Sequence, residues 1–140
     1  MFSRDYPATL TPNGEGGYIV TFRDVPEAIT EIWDKNELKE TATDCLDTAV
    51  DFYIEDHRLF PAPSKTKKDD VIIQLPISIS AKILLLNTMV SGNIRPVDLA
   101  KKMGIKPQEV NRIIDTGHTT KIDTIAKALS VLGKNLQLSI

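Results

Sequence analysis

One cysteine, two histidines and one tryptophan among 140 residues narrow what this chain can be. A lone thiol, Cys45, forms no internal disulfide and leaves no cysteine cluster for a structural metal. No apolar run is longer than Ile83–Leu86, far short of the roughly 20 residues that cross a bilayer. The N-terminus lacks a basic-then-apolar region with a cleavage site, so the expected location is cytoplasmic, with no membrane partner. Neither His57 nor His118 has a nucleophile at catalytic spacing, and the acids do not converge as two-metal chemistry requires. No catalytic residue, metal ligand or cofactor is expected, and the chain does not read as an enzyme.

Charge is present but unevenly spread. Met1 to Ala62 carries 5 Lys/Arg against 13 Asp/Glu, a balance of -8. Pro63 to Ile140 carries 12 against 6, or +6, so the stated net of -2 conceals two opposite halves. A basic half suits polyanions, whereas an acidic half repels them and attracts basic surfaces.

The acidic half opens with strand signals. Tyr6, Ala8 and Leu10 alternate, the cluster Thr11–Gly17 interrupts, and Tyr18, Val20 and Phe22 alternate again, as in an antiparallel hairpin. The glycine-rich interruption lacks the Lys-Ser/Thr ending of a phosphate loop and reads as a turn. Asp34 and Glu37 have capping-box spacing, and Leu38, Ala42, Leu46, Ala49, Val50 and Tyr53 recur at helical intervals. A helix is therefore expected from about Lys35 to Glu55, with Cys45 on its apolar face. Pro61–Lys68 reads as a polar linker and Val71–Leu75 as a strand closed by Pro76. The order β-β-α-β makes a small α+β domain over residues 1–76.

From about Ser78 the period becomes helical. A helix runs to Gly92, placed as a C′ glycine; short helices follow at Pro96–Met103 and Pro107–Asp115, and another at Lys121–Leu132, ended by Gly133. Residues 77–140 thus read as an all-α domain. Leu136, Leu138 and Ile140 alternate like a strand, and pairing between two chains would give it a partner, so a homodimer, or a pair of dimers, is expected.

Two short helices that cross steeply need a small residue at the crossing and a left-handed turn. Ala100 and Gly104 satisfy both, with Leu99, Met103, Ile105, Val110 and Ile113 as the apolar faces. With Val110 at 0°, Gln108 falls at about 160°, Arg112 at about 200° and Asn111 at about 100°, away from that core. Gln and Asn make paired hydrogen bonds to adenine, and Arg to guanine. Lys101, Lys102, Lys106 and Lys121 are placed for phosphates. Arg95 and Lys106 occupy N-cap positions where Ser, Thr, Asn or Asp is usual, and Pro96 and Pro107 remove amides, so phosphate contact would rest on cationic side chains.

These residues, with the run Gly117-His118-Thr119-Thr120-Lys121-Ile122-Asp123-Thr124, resemble the lambda-repressor/Cro-like helix-turn-helix proteins, which adds Thr120 to the DNA-facing set. The first half carries a second resemblance. Tyr6-Pro7-Ala8-Thr9-Leu10-Thr11-Pro12, Glu15-Gly16-Gly17-Tyr18, Phe22-Arg23-Asp24-Val25-Pro26-Glu27-Ala28, Ala49-Val50-Asp51-Phe52-Tyr53 and Pro61-Ala62-Pro63 resemble a HicB-type antitoxin. That resemblance implies a partial RNase H-like N-terminal domain binding a small basic mRNA-cleaving HicA-type toxin, and a C-terminal domain repressing its own operon on double-stranded operator DNA. Trp33 stands where the family pattern has a Thr-x-Gly turn; it reads either as a toxin anchor or as core packing, with packing preferred. Asp44, Asp47, Asp51 and Glu55 form one acidic stripe on the long helix, a candidate toxin-facing surface. The competing reading is a dimeric transcriptional regulator whose first domain senses a small ligand or another protein.

Overall fold

The computed structural model describes residues 2–140. The chain is α+β and divides into two compact units: Met1–Phe52 with Pro61–Ile77, and Tyr53–Phe60 with Ser78–Ile140.

In the first unit a four-stranded antiparallel sheet is built from β1 (Asp5–Pro12), β2 (Tyr18–Phe22), β3 (Ile29–Ile32) and β4 (Val71–Gln74), in the order β3-β2-β1-β4. The β1–β2 hairpin pairs Ala8 with Phe22 and Leu10 with Val20, so the alternating residues share one face. Its turn is closed by Asn13, whose Oδ1 accepts from the amides of Glu15 (2.8 Å) and Gly17 (3.0 Å). Gly17 is needed because the chain approaches closely there. A Cβ would lie 2.7 Å from the Ile32 carbonyl oxygen and 2.8 Å from the Trp33 ring.

β3 corrects the β-β-α-β expectation. Its burial alternates, with Ile29 and Glu31 exposed and Thr30 and Ile32 turned inward, but its two isoleucines fall on opposite faces, so the four residues show no hydrophobic period of two. After β3, Asp34 Oδ1 accepts from the Asn36 amide at 2.9 Å and caps a 3-10 turn, Lys35–Glu37. That turn leads into α1 (Leu38–Glu55). Ala42, Leu46, Ala49 and Val50 on α1 are buried, as are Val20, Phe22 and Ile32 on the strands.

The polar segment from Pro61 to Asp70 is pinned to its own unit. The Tyr6 hydroxyl donates to the Pro61 carbonyl at 2.7 Å, and burial, with the nearby Asp24 charge, pushes its pKa well above the usual phenol range. Asp24 accepts from the backbone amide and hydroxyl of Ser64, both at 3.0 Å. The Arg23 guanidinium donates to both Asp70 oxygens, at 2.9 and 2.8 Å, and to Ser64 Oγ and the Lys65 carbonyl.

The second unit is helical. α2 (Ile77–Ser91), α3 (Pro96–Met103), α4 (Pro107–Ile114) and α5 (Ile122–Val131) surround a core that includes Leu85, Met89, Leu99, Val110, Ile125 and Leu129. The α2–α3 bend is 105°, and no single described helix is long and apolar enough to cross a membrane. The end of α2 departs from expectation: the left-handed residue is Asn93 (φ 53°), not Gly92. Ile94 then donates to the Met89 carbonyl at 2.8 Å, closing the helix one residue later. Residues Tyr53–Phe60 join this unit because Tyr53 and Phe60 stack edge to face at 5.0 Å, Arg58 lies over the Tyr53 ring, and Asn87 bonds both backbone groups of Phe60.

The expected terminal strand is absent from the single chain. Leu136 packs half-buried against the helical core while Leu138 and Ile140 are exposed, and no described strand lies in this unit to pair with them.

The Arg23 guanidinium first, and the Lys67 amide next, hold the Asp70 carboxyl down from 3.8 to about 2. A carboxyl depressed on folding favours the folded state above its unfolded pKa, and that contribution disappears as pH falls through the folded value. The first unit should therefore lose stability between about pH 4 and pH 2. Circular dichroism melts across that range should show the loss in the parent chain and a flatter profile in Arg23→Ala.

Candidate nucleic-acid and partner surfaces

α3 ends on a left-handed glycine. Gly104 has φ 71°, its amide donates to Lys101, and the Ile105 amide reaches back to Ala100 at 3.0 Å. Those bonds satisfy the last carbonyls of α3 and redirect the chain into α4. Leu99, Ala100, Val110, Ile113 and Ile114 are buried in the shared core, with Met103 and Ile105 packed beside them. The crossing and turn residues read from sequence thus sit where the packing needs them.

The outward face follows. Gln108, Asn111 and Arg112 on α4 are all exposed, as are Lys101, Lys102, Lys106 and Lys121. Thr120 is half-buried, its hydroxyl 3.4 Å from the Arg112 carbonyl. A groove of about 530 Å³ lies between α4 and α5, with Met103, Ile105 and Ile113 in its apolar lining and Arg112, Lys121 and Lys127 among its cations. The N-caps Arg95 and Lys106 make no side-chain cap to an amide. Instead Asp98 accepts from the Arg95 backbone and guanidinium, which holds its carboxyl below the usual range.

Sequence reading missed Lys82. It lies on α2, is 1% exposed, and its ammonium donates to the carbonyls of Asp115 and His118. α4 ends at Asp115 in an extended conformation, without the left-handed residue that closes α2 and α3. The ammonium ties the α4 C-cap, whose carbonyl also accepts from the His118 amide at 3.2 Å, and the loop after it to α2. Lys82 thereby fixes the segment carrying Thr120 and Lys121. An isolated lysine inside an apolar helix pattern gives no sequence signal for this role.

The first unit revises the acidic stripe. Asp44 and Glu55 are exposed, but Asp47 and Asp51 are half-buried, and Glu55 falls in the second unit. Trp33 is 53% exposed, so the preferred core-packing reading is corrected: Ile32 takes the inward position and Trp33 lies outside it, against Gly17. Cys45 is half-buried, and burial raises its thiol pKa. It lines a second groove, of about 450 Å³, with Ile29 and Thr30 from β3 and Thr41, Thr48, Ala49 and Phe52 from α1. Two carboxylates, Glu27 and Asp44, complete that lining. Among the described residues no group of three His, Cys, Asp or Glu side chains is placed to hold a metal.

A family model described as the HicB-like antitoxin of bacterial toxin–antitoxin systems matches residues 5–84. The chain is 45% identical over 133 residues to the antitoxin HicB of Escherichia coli K12, covering 95% of this chain and 96% of that one. It is 44% identical over 135 residues to antitoxin HicB 1 of Photorhabdus laumondii, covering 96% and 86% respectively. A more distant relative, the antitoxin HicB of Pseudomonas fluorescens, is 29% identical over 126 residues. The chain belongs to the HicB-like antitoxin family, and its role is that of an antitoxin in a toxin–antitoxin system.

Replacing Lys82 by Met leaves the Asp115 and His118 carbonyls without their cationic donor. Urea unfolding should show a loss of roughly 2–3 kcal/mol, with Lys82→Arg losing less. An unchanged midpoint in Lys82→Met would contradict the placement.

Proposed function

We propose that the chain neutralises a small basic mRNA-cleaving HicA-type toxin through its acidic first unit and represses its own operon through the second. The observation that carries the DNA half is the exposed face of α4, where Gln108, Asn111 and Arg112 stand together, bordered by Lys101, Lys102, Lys106 and Lys121. In this reading α3 and α4 form a lambda-repressor/Cro-like helix-turn-helix. α4 enters the major groove, its three polar side chains read base edges, and the lysines with Thr120 hold phosphates.

The first unit is read as a partial RNase H-like domain, and it holds most of the acids of the -8 half. A nuclease that grips RNA presents a cationic surface, which an acidic domain attracts at long range and then covers. Trp33, Asp44, Asp47, Asp51 and Glu55 are the proposed toxin-facing set. Trp33, Asp44 and Glu55 are accessible for direct contact, while the half-buried Asp47 and Asp51 contribute field more than contact. Exposed Leu138 and Ile140 support association of two chains through their C-terminal tails, which would place two copies of α4 on a two-fold-symmetric operator.

Co-expression with a HicA-type toxin should restore growth, an outcome that a ligand-sensing regulator would not give. Arg112→Ala should weaken binding to the chain's own promoter DNA by about 1–3 kcal/mol, relaxing preference at one base position while leaving rescue intact. Unchanged promoter affinity in a gel-shift titration would contradict the assigned face.

A further inference from the structure

The groove beside β3 occupies the place of a missing fifth strand. β3 is an edge strand, paired on one side with β2 through Tyr18–Ile32, Ile19–Glu31, Val20–Thr30 and Thr21–Ile29. On its other side the sheet stops, and residues of α1 line a groove along that edge. Thr41, Cys45, Thr48 and Phe52 recur at helical spacing along a face of α1 that lines the groove with Ile29 and Thr30. A strand added to β3 would direct every second side chain into this space.

Three features fit an occupant from another molecule. Ile29 is 62% exposed and Phe52 49% exposed, so apolar surface stands open where an added strand would cover it. The helix side supplies the short side chains Thr41, Cys45 and Thr48, which leaves depth for larger incoming ones. The charge at this edge is negative: the strand carries Glu31, which accepts from Asn13 Nδ2 at 3.1 Å, and Glu27 and Asp44 line the groove. Pairing two copies through β3 would gather both sets of these carboxylates in one interface. The charge therefore disfavours self-association and selects a basic segment.

We propose that the basic toxin docks by strand addition to β3, laying an extended segment along Ile29–Ile32. Its inward side chains fill the groove over α1, and its lysines or arginines meet Glu27, Glu31 and Asp44. This inference rests on the antitoxin reading and moves the centre of the toxin interface from the acidic stripe of α1 to the sheet edge.

The test uses the full chain and a HicA-type toxin whose growth arrest the chain relieves. Thr48→Arg, an exposed helical position, puts a long cation into the groove and should lower toxin affinity about tenfold or more. Lys39→Arg, at an exposed α1 position outside the groove lining, should retain full affinity, and the double variant Glu27→Lys/Glu31→Lys should weaken binding by reversing the charge. Amide hydrogen exchange at Ile29–Ile32 should slow on toxin binding in the parent chain, and the exchange protection of β1 and β2 reports that the first unit of each variant is folded. Normal toxin affinity in Thr48→Arg with unchanged exchange at Ile29–Ile32 would overturn strand addition while leaving the antitoxin reading in place. Failure of the parent chain to bind the toxin would overturn both. Slowed exchange at Ile29–Ile32 that depends on the concentration of the chain alone would assign the edge to a second copy instead.

Discussion

Every helix that ends inside a folded chain must satisfy its last carbonyls, and the way this is done here sets the second unit's geometry. α1 ends on His57 (φ 51°), α2 on Asn93 (φ 53°), α3 on Gly104 (φ 71°) and α5 on Gly133 (φ 81°). In each case the following amide reaches back five residues: Arg58 to Tyr53, Ile94 to Met89, Ile105 to Ala100, Lys134 to Leu129. The left-handed residue reverses the chain while the returning amide closes the helix. α4 is the exception. Its end is extended, and the buried ammonium of Lys82 holds the cap residue Asp115 and the following loop at His118 instead. The helix that exposes Gln108, Asn111 and Arg112 thus has the residues after its end held by a buried charge.

The first unit is governed by a different limit. A four-stranded sheet covers only part of an 18-residue helix, so α1 keeps a half-exposed face beyond β3. Closing that gap with another strand of the same chain would bury Ile29 and Phe52; leaving it open makes the unit dependent on something else to cover them. The carboxylates around the opening set the charge of whatever does so. In the strand-addition proposal, burial and partner choice are decided at the same residues.

Most of this organisation was legible in the residues. The β1–β2 hairpin, α1, all four helices of the second unit and the turn at Gly104 follow from period, caps and glycine placement. What was not legible has physical reasons. β3 is short and apolar on both faces, so it has no period. Asn93, not the adjacent glycine, takes the left-handed position; Gly92 answers close packing instead, since a Cβ there would meet Ile94 and the Thr88 carbonyl at 3.0–3.3 Å. Lys82 is identifiable only from what surrounds its ammonium. Trp33 depends on Gly17, sixteen positions earlier, for the space its ring occupies. The alternation in Leu136–Ile140 is a local pattern that has no strand to pair with in its own unit.

The central claim is that a chain of net charge -2 presents two surfaces of opposite sign to two partners of opposite sign. The most direct test is the salt dependence of promoter binding by the full chain. Five exposed cations, Lys101, Lys102, Lys106, Arg112 and Lys121, should each release a counter-ion from DNA, so log affinity should fall against log salt with a slope of about -4 or steeper. A slope near zero, the behaviour expected if the net charge governed the encounter, would contradict the account.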